Sequence, residues 1–167
     1  KSIEVAQALL AEKMEQEGRL LTLLVNKVGD PAGGVATCAS ELVLSLASKH
    51  PAMTGVIMHE IRQFLHRSQL KQRALHAGVV CLCRLPLSRS VPAQALEMVE
   101  TLAGLFEKAV ASESGSGHLL AALLSGFNKA FPLIKDPTAL TKHVDVLFKI
   151  AHDDSLPSST HALLLIT

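Results

Sequence analysis

The chain has 167 residues, a formal charge of +1, and 49% apolar residues with only 3% aromatic and neither Trp nor Tyr. That length suits one domain able to bury roughly 70% of its unfolded surface, and the near-neutral charge excludes a protein that grips nucleic acid with its whole surface, so any such contact must be local. Every apolar run is broken by Arg, Lys, Glu or His well short of the ~20 residues of a membrane span, which argues for no membrane partner.

The first residues carry Glu4, Glu12, Glu15 and Glu17, unlike a secretory signal or an Arg-rich transit peptide. Ile3, Ala6, Leu10 and Met14 share one helical face, and Gly18 separates that helix from a second over about 19–28, which Gly29, Asp30 and Pro31 end. After a flexible corner at Ala32, Gly33 and Gly34, the positions Val35, Ala39, Leu42, Val43 and Leu46 mark a third helix that stops before Pro51. Both readings rest on apolar residues recurring at spacings of three and four.

Residues 50–85 read as one helical hairpin. Met53, Val56, Ile57, Ile61, Phe64 and Leu65 line one side of its first helix, and Leu70, Ala74, Ala77, Cys81, Leu82 and Leu85 repeat the spacing in its second. Leu75, Val79 and Val80 make the second helix apolar nearly all round, which places it between neighbours. The corner at 67–69 is short enough to force an antiparallel return, with Ser68 as the expected cap of the second helix. No acidic residue occurs from Ile61 to Leu96, whereas Arg62, Arg67, Lys71, Arg73, Arg84 and Arg89 fall inside that interval. These six cations are the candidate site for RNA or an acidic partner, because a cluster without interleaved carboxylates keeps its potential out to ~8 Å at physiological salt. Without exposed aromatics, contact with phosphates is the expected mode rather than stacking on bases.

Pro86 and the stretch 88–92 break the hairpin, and Pro92 suits the first turn of a long helix through Leu96, Val99, Ala103, Phe106 and Val110. Residues 112–117 form a Ser/Gly linker. Leu120, Leu123, Phe127 and Ala130 line the next helix, which Pro132 ends, and further helices open near 138, with Leu140, Val144, Leu147 and Ala151 inward, and near 157. Helix starts near 19, 35, 52, 69, 92, 118, 138 and 157 pair off as hairpins with periods of about 33 to 46 residues, the range of two-helix solenoid repeats. The fold class is therefore all-α, a solenoid of antiparallel hairpins without a sheet. It is read as one segment over 1–167, with hairpins over 1–111, the linker at 112–117 and a further block over 118–167. The apolar finish at 161–167, HALLLIT, lacks the polar cap that a terminal repeat needs, which leads to the expectation of a fragment of a longer array. Leu46, Ile61, Phe64, Val79, Leu82, Phe106, Leu123 and Leu147 are expected to be buried, and the apolar, uncapped side is expected to hold a partner.

Several blocks, taken in order, carry a resemblance: 23–31 (LLVNKVGDP), 35–46 (VATCASELVLSL), 50–67 (HPAMTGVIMHEIRQFLHR), 119–132 (LLAALLSGFNKAFP) and 143–152 (HVDVLFKIAH). They are similar to the nucleolar complex protein 1 family, also called the CCAAT-binding factor or CCAAT/enhancer-binding protein zeta family, whose defining domain would begin in the block 118–167 and be truncated here. The resemblance implies a HEAT-like α-solenoid in the nucleolus or nucleus. It further implies a role in early assembly of the large ribosomal subunit, in complex with a second nucleolar complex protein and in contact with pre-ribosomal RNA and the pre-ribosomal particle. The chain departs from the family at 32–34, at Leu75 and His76, and in a shorter linker.

No catalytic constellation is legible. Ser125 and Gly126 lie within a helical pattern rather than on a nucleophile elbow, and Gly115, Ser116 and Gly117 lack the strand and the Lys of a phosphate cradle. Cys81 and Cys83 point about 200° apart on a helix and cannot share an ion with His76. His59 and His66, seven apart, would need a third ligand from elsewhere. An odd number of helical cysteines suits a reducing compartment. The expectation is a non-enzymatic scaffold with no cofactor, no metal and no small-molecule substrate. The rival is a DNA-binding transcription factor of the CCAAT type, against which stand the neutral charge and the lack of a recognisable groove-reading element.

Overall fold

The computed structural model describes residue 5, residues 17–111 and residues 117–134. Among the described residues the regular structure is wholly helical: α1 (Glu17–Val28), α2 (Gly33–Lys49), α3 (Thr54–Leu65), α4 (Gln72–Arg84), α5 (Pro92–Ala111) and α6 (Gly117–Ala130). Single 3₁₀ turns occupy Pro51–Met53 and Phe131–Leu133. The six starts fall within three residues of those read from spacing and punctuation. The helices expected near 138 and 157, with Leu147, Phe148 and the apolar finish, lie outside the described residues, as does all but Gly117 of the linker. No described helix is long and apolar enough to cross a membrane.

The chain divides into two compact units, Lys1–Pro86 and Leu87–Thr167. In the first, α1 buries Leu21, Leu24, Val25 and Val28, the i, i+3, i+4, i+7 stripe of an amphipathic helix. Residues 29–32 then turn the chain back into α2. Asp30 holds this corner: its carboxylate accepts from Lys27 Nζ at 2.9 Å and from the Ala32 N–H at 2.9 Å, tying the end of α1 to the start of α2. These bonds hold the Asp30 carboxyl below the usual carboxylate range, the Lys27 bond contributing most.

α1 with α2 and α3 with α4 are antiparallel hairpins, and the two stack so that equivalent helices run parallel. Thr22 Oγ1 donates to Glu60 Oε2 at 2.8 Å, and further on Gly29, just past α1, lies against Phe64 at the end of α3. Gly33, at the start of α2, lies against Arg73 in the first turn of α4, while Glu41 further along α2 bonds Arg84 at the end of α4. Two layers result, α1 beside α3 and α2 beside α4, as in a solenoid of helical hairpins. The helix starts keep the rhythm: 17, 54 and 92 for α1, α3 and α5, and 33, 72 and 117 for α2, α4 and α6.

The core of this unit centres on Phe64. Its ring fits between two glycines: a Cβ on Gly29 would stand 2.6 Å from Phe64 Cζ, and one on Gly78 would stand 3.0 Å from Phe64 Cε1 and 2.8 Å from Leu65 Cδ2. α4 packs against α1, α2 and α3, which is why its apolar residues go nearly all the way round. In the second unit α5 and α6 pack together, with Leu102, Phe106, Leu123 and Phe127 inside. Phe127 and the half-buried Phe131 stack with ring centroids 5.5 Å apart. Seven of the eight residues expected in the core, Leu46, Ile61, Phe64, Val79, Leu82, Phe106 and Leu123, are buried.

Three local expectations are corrected. Gly18 does not mark a helix boundary but lies inside α1, where its carbonyl accepts from Thr22 Oγ1 at 2.8 Å. Ser68 does not cap the second helix of the central hairpin. The turn runs longer, α4 begins at Gln72, and its N-cap is Lys71, with extended backbone and no side-chain capping bond. Val56, placed on the apolar side of α3, is 54% exposed, and Met58 is fully buried instead. α3 is rotated so that its contact surface is centred on Ile57, Ile61 and Phe64, and Val56 falls just outside that arc.

Candidate functional site

The five cations of the first unit are not one patch. Arg62, in the last turn of α3, Arg67 and Lys71, in the corner, and Arg73, in the first turn of α4, lie close in the chain at one end of the second hairpin. Arg84 is eleven residues beyond Arg73 on the same helix, roughly 16 Å away at 1.5 Å per residue. Arg89 belongs to the second unit, in the loop before α5.

Their environments differ as well. The Arg67 guanidinium lies 5.4 Å from the centroid of the Phe64 ring, a cation–π contact worth about 0.5–1 kcal/mol at an exposed site. Arg73 Nη1 donates to the Pro31 carbonyl at 3.2 Å. Arg84 Nη1 donates to Glu41 Oε1 at 2.7 Å, with both side chains about half exposed. The run without acidic residues is therefore compensated at one end by a carboxylate from α2. Lys71 and Arg89 are exposed.

Between α2 and α4 runs an open trough of about 330 Å³, walled by Gly33, Ala36, Thr37 and Ser40 on one side and by His76, Ala77 and Val80 on the other, with Arg73 at one end and Arg84 with Glu41 at the other. Its α4 side is the stripe 73, 77, 80, 84, one face of a helix. Spacing alone did not reveal this trough, since its walls come from helices about 40 residues apart. The starts read from the sequence, near 35 and 69, set Glu41 opposite residue 75; the observed starts at Gly33 and Gln72 bring it about one helical turn from Arg84.

The histidines and cysteines do not converge. His59 Nε2 is 2.8 Å from Gln63 Nε2, whereas His66 lies past the end of α3 and its Nδ1 donates to the Arg62 carbonyl at 2.8 Å. Cys81 is fully buried, and burial pushes its thiol up, outweighing a hydrogen bond with Ser40 that acts the other way. Cys38 and Cys83 are half-buried. Among the described residues no three His, Cys, Asp or Glu side chains gather as metal ligands.

No family model matches the chain. It is nevertheless 33% identical to human CCAAT/enhancer-binding protein zeta over 167 residues, 99% of this chain and 16% of that protein. It is 33% identical to Drosophila melanogaster nucleolar complex protein 1 over 172 residues, 98% of this chain and 15% of that protein. The chain is homologous to the nucleolar complex protein 1 and CCAAT/enhancer-binding protein zeta family. A third relative, the ribosome biogenesis protein NOC1 of Chaetomium thermophilum, is 29% identical over 202 residues, 99% of this chain and 19% of that protein. The chain thus spans about a sixth of the length of the curated relatives it matches. The names of the nucleolar complex protein 1 relatives point to the nucleolus and to ribosome biogenesis.

Proposed function

We propose that this chain is a non-catalytic, HEAT-like scaffold segment of a nucleolar assembly factor for the large ribosomal subunit, holding a second nucleolar complex protein and touching pre-ribosomal RNA. The observation that carries the reading is the match over 98–99% of the chain to proteins named for the nucleolar complex and for ribosome biogenesis. Stacked hairpins suit the role, because each repeat adds side-chain surface without needing an enclosed site.

The RNA contact is assigned chiefly to Arg62, Arg67 and Lys71. Arg67 and Lys71 are exposed in the corner and the half-buried Arg62 precedes it in the last turn of α3, no acidic residue follows Glu60 until Glu97, and the described surface offers no aromatic platform for bases, so phosphate contact is the mode. Arg73 and Arg84 extend the cationic surface of the first unit, and Arg89 stands exposed in the second. The experiment replaces Arg62, Arg67 and Lys71 by Glu in the full chain and measures association with a structured large-subunit precursor RNA against salt. For each phosphate that the variant no longer neutralises, the log–log salt slope should fall by about 0.7–0.9, with helicity unchanged. An unchanged slope overturns the RNA role. Specific CCAAT duplex DNA outcompeting the RNA would instead favour the transcription-factor reading that the human relative's name suggests.

A further inference from the structure

We infer that the trough between α2 and α4 is the seat of an acidic α-helical segment of a partner protein. The inference rests on the reading of the chain as a protein scaffold and not on its RNA contact.

Shape is the first argument. The trough is open and about 330 Å³, at the small end of the roughly 300–1,000 Å³ typical of pockets that engulf small molecules. Gly33, Ala36, Ser40 and Ala77 keep its walls low, and small side chains let a third helix approach toward the short end of the 8–10 Å range of interaxial distances. Parallel neighbouring helices of one solenoid layer form the extended surface on which such proteins lay their partners.

Charge identifies the guest. Arg73 and Arg84 are eleven residues apart, three helical turns plus about 20°, so both stand along the face of α4 that borders the trough. A guest helix with carboxylates at i and i+11 spans the same ~16 Å and meets one guanidinium at each end. Arg73 is lightly held, whereas Arg84 is bonded to Glu41 at 2.7 Å on an exposed rim. Arg73 donates to a backbone carbonyl at the long distance of 3.2 Å, and the Arg84–Glu41 pair is half exposed, a setting in which ion pairs are worth about 0.2–1 kcal/mol and rearrange readily. α4 carries no acidic residue, and Glu41 is the single carboxylate lining the trough. At the Gly33 and Gln72 end, the positive ends of two parallel helices lie side by side, with no acidic residue in either first turn, which adds to the field seen by an approaching carboxylate. Nucleic acid suits the place less well, since no aromatic ring lines it and its length spans few phosphates.

The test uses the full chain and a fluorescein-labelled, alanine-rich helical peptide with glutamates eleven residues apart, its twin with glutamines there, and an RNA hairpin of large-subunit precursor sequence. Anisotropy should report saturable binding of the glutamate peptide, weakened at least tenfold in the glutamine twin and in Arg73→Gln with Arg84→Gln. Thr37→Trp fills the trough from an exposed position without changing charge, so it should abolish peptide binding while circular dichroism and the RNA salt slope stay as in the parent chain. The proposal is overturned by absence of binding at about 1 mM peptide, by equal binding of the twin, or by indifference to Thr37→Trp. Competition of the hairpin with the peptide in the parent chain, together with loss of RNA affinity in Thr37→Trp, would assign the trough to RNA and also overturn it. Loss of RNA binding through the corner cations leaves these outcomes untouched, so the two readings fail separately.

Discussion

Replacing Phe64 by Ala removes a buried ring that packs between Gly29, just past α1, and Gly78 in α4. Phe64 is 4% exposed, and its ring rests on backbone at Gly29 and Gly78, positions with no side chain that could swing into a vacancy. Burying a phenylalanine is ordinarily worth about 3–5 kcal/mol against alanine. Because the walls here cannot collapse by changing rotamers, the upper part of that range applies, and removing the ring beneath the Arg67 guanidinium adds a further ~0.5–1 kcal/mol. A destabilisation of about 4.5–6 kcal/mol is a large share of a domain's typical stability of about 5–15 kcal/mol. The decisive measurement is a double-mutant cycle followed by circular dichroism in urea. In the parent chain Gly29→Ala forces a methyl to 2.6 Å from Phe64 Cζ, and such overpacking costs about 1–3 kcal/mol. In the Phe64→Ala background the same methyl enters the space the ring has left and keeps only the 3.1 Å approach to Ala74 Cβ, so Gly29→Ala should cost much less. The coupling should therefore fall within the range of about 0.5–3 kcal/mol found for contacting residues. If Gly29→Ala costs the same in both backgrounds, the ring does not pack on that glycine and the account of this core is wrong.

Two further outcomes follow from the titrating groups. The Asp30 carboxyl is held low in the folded chain, so its stabilising contribution is present above the unfolded value of about 3.9 and is lost as pH falls through the lower folded value. Asp30→Asn, which keeps an acceptor for the Ala32 N–H but not the charge, should flatten acid-induced loss of stability below about pH 4 in urea melts, and an unaltered acid limb would discount the Lys27 bond. The Cys81 thiol, buried and pushed up, should stay protonated at neutral pH. Of the three thiols, Cys38 and Cys83 should react with a disulfide reagent in the native chain and Cys81 only on unfolding, since the thiolate is the reactive form. Three equal native rates would contradict that burial.

Much of the fold was legible because it is local. Apolar residues at spacings of three and four, interrupted by Gly29, Pro51, Pro86 and Pro92, marked the six described helices to within three residues, and short connections forced the hairpins. What failed were positions decided by a neighbour. Ser68 is a good cap by residue type, yet the corner's path delivers Lys71 to the N-cap. Val56 belongs to an apolar stripe by spacing, yet the packing of α3 on α1 and α4 turns Met58 inward instead.

The amino-acid order by itself determined the all-α class, the repeat of roughly 40 residues and the cationic composition of residues 61–96, because periodicity, proline and charge act over a few neighbouring residues. The tertiary structure alone decided that Arg84 is answered by Glu41, 43 positions away, that Arg73 and Arg84 stand at the two ends of one trough, and that Gly29 and Gly78 receive Phe64. Those are matters of rotation and register between parallel helices. A turn of 100° per residue makes a small change in helix packing enough to exchange a paired side chain for a solvated one.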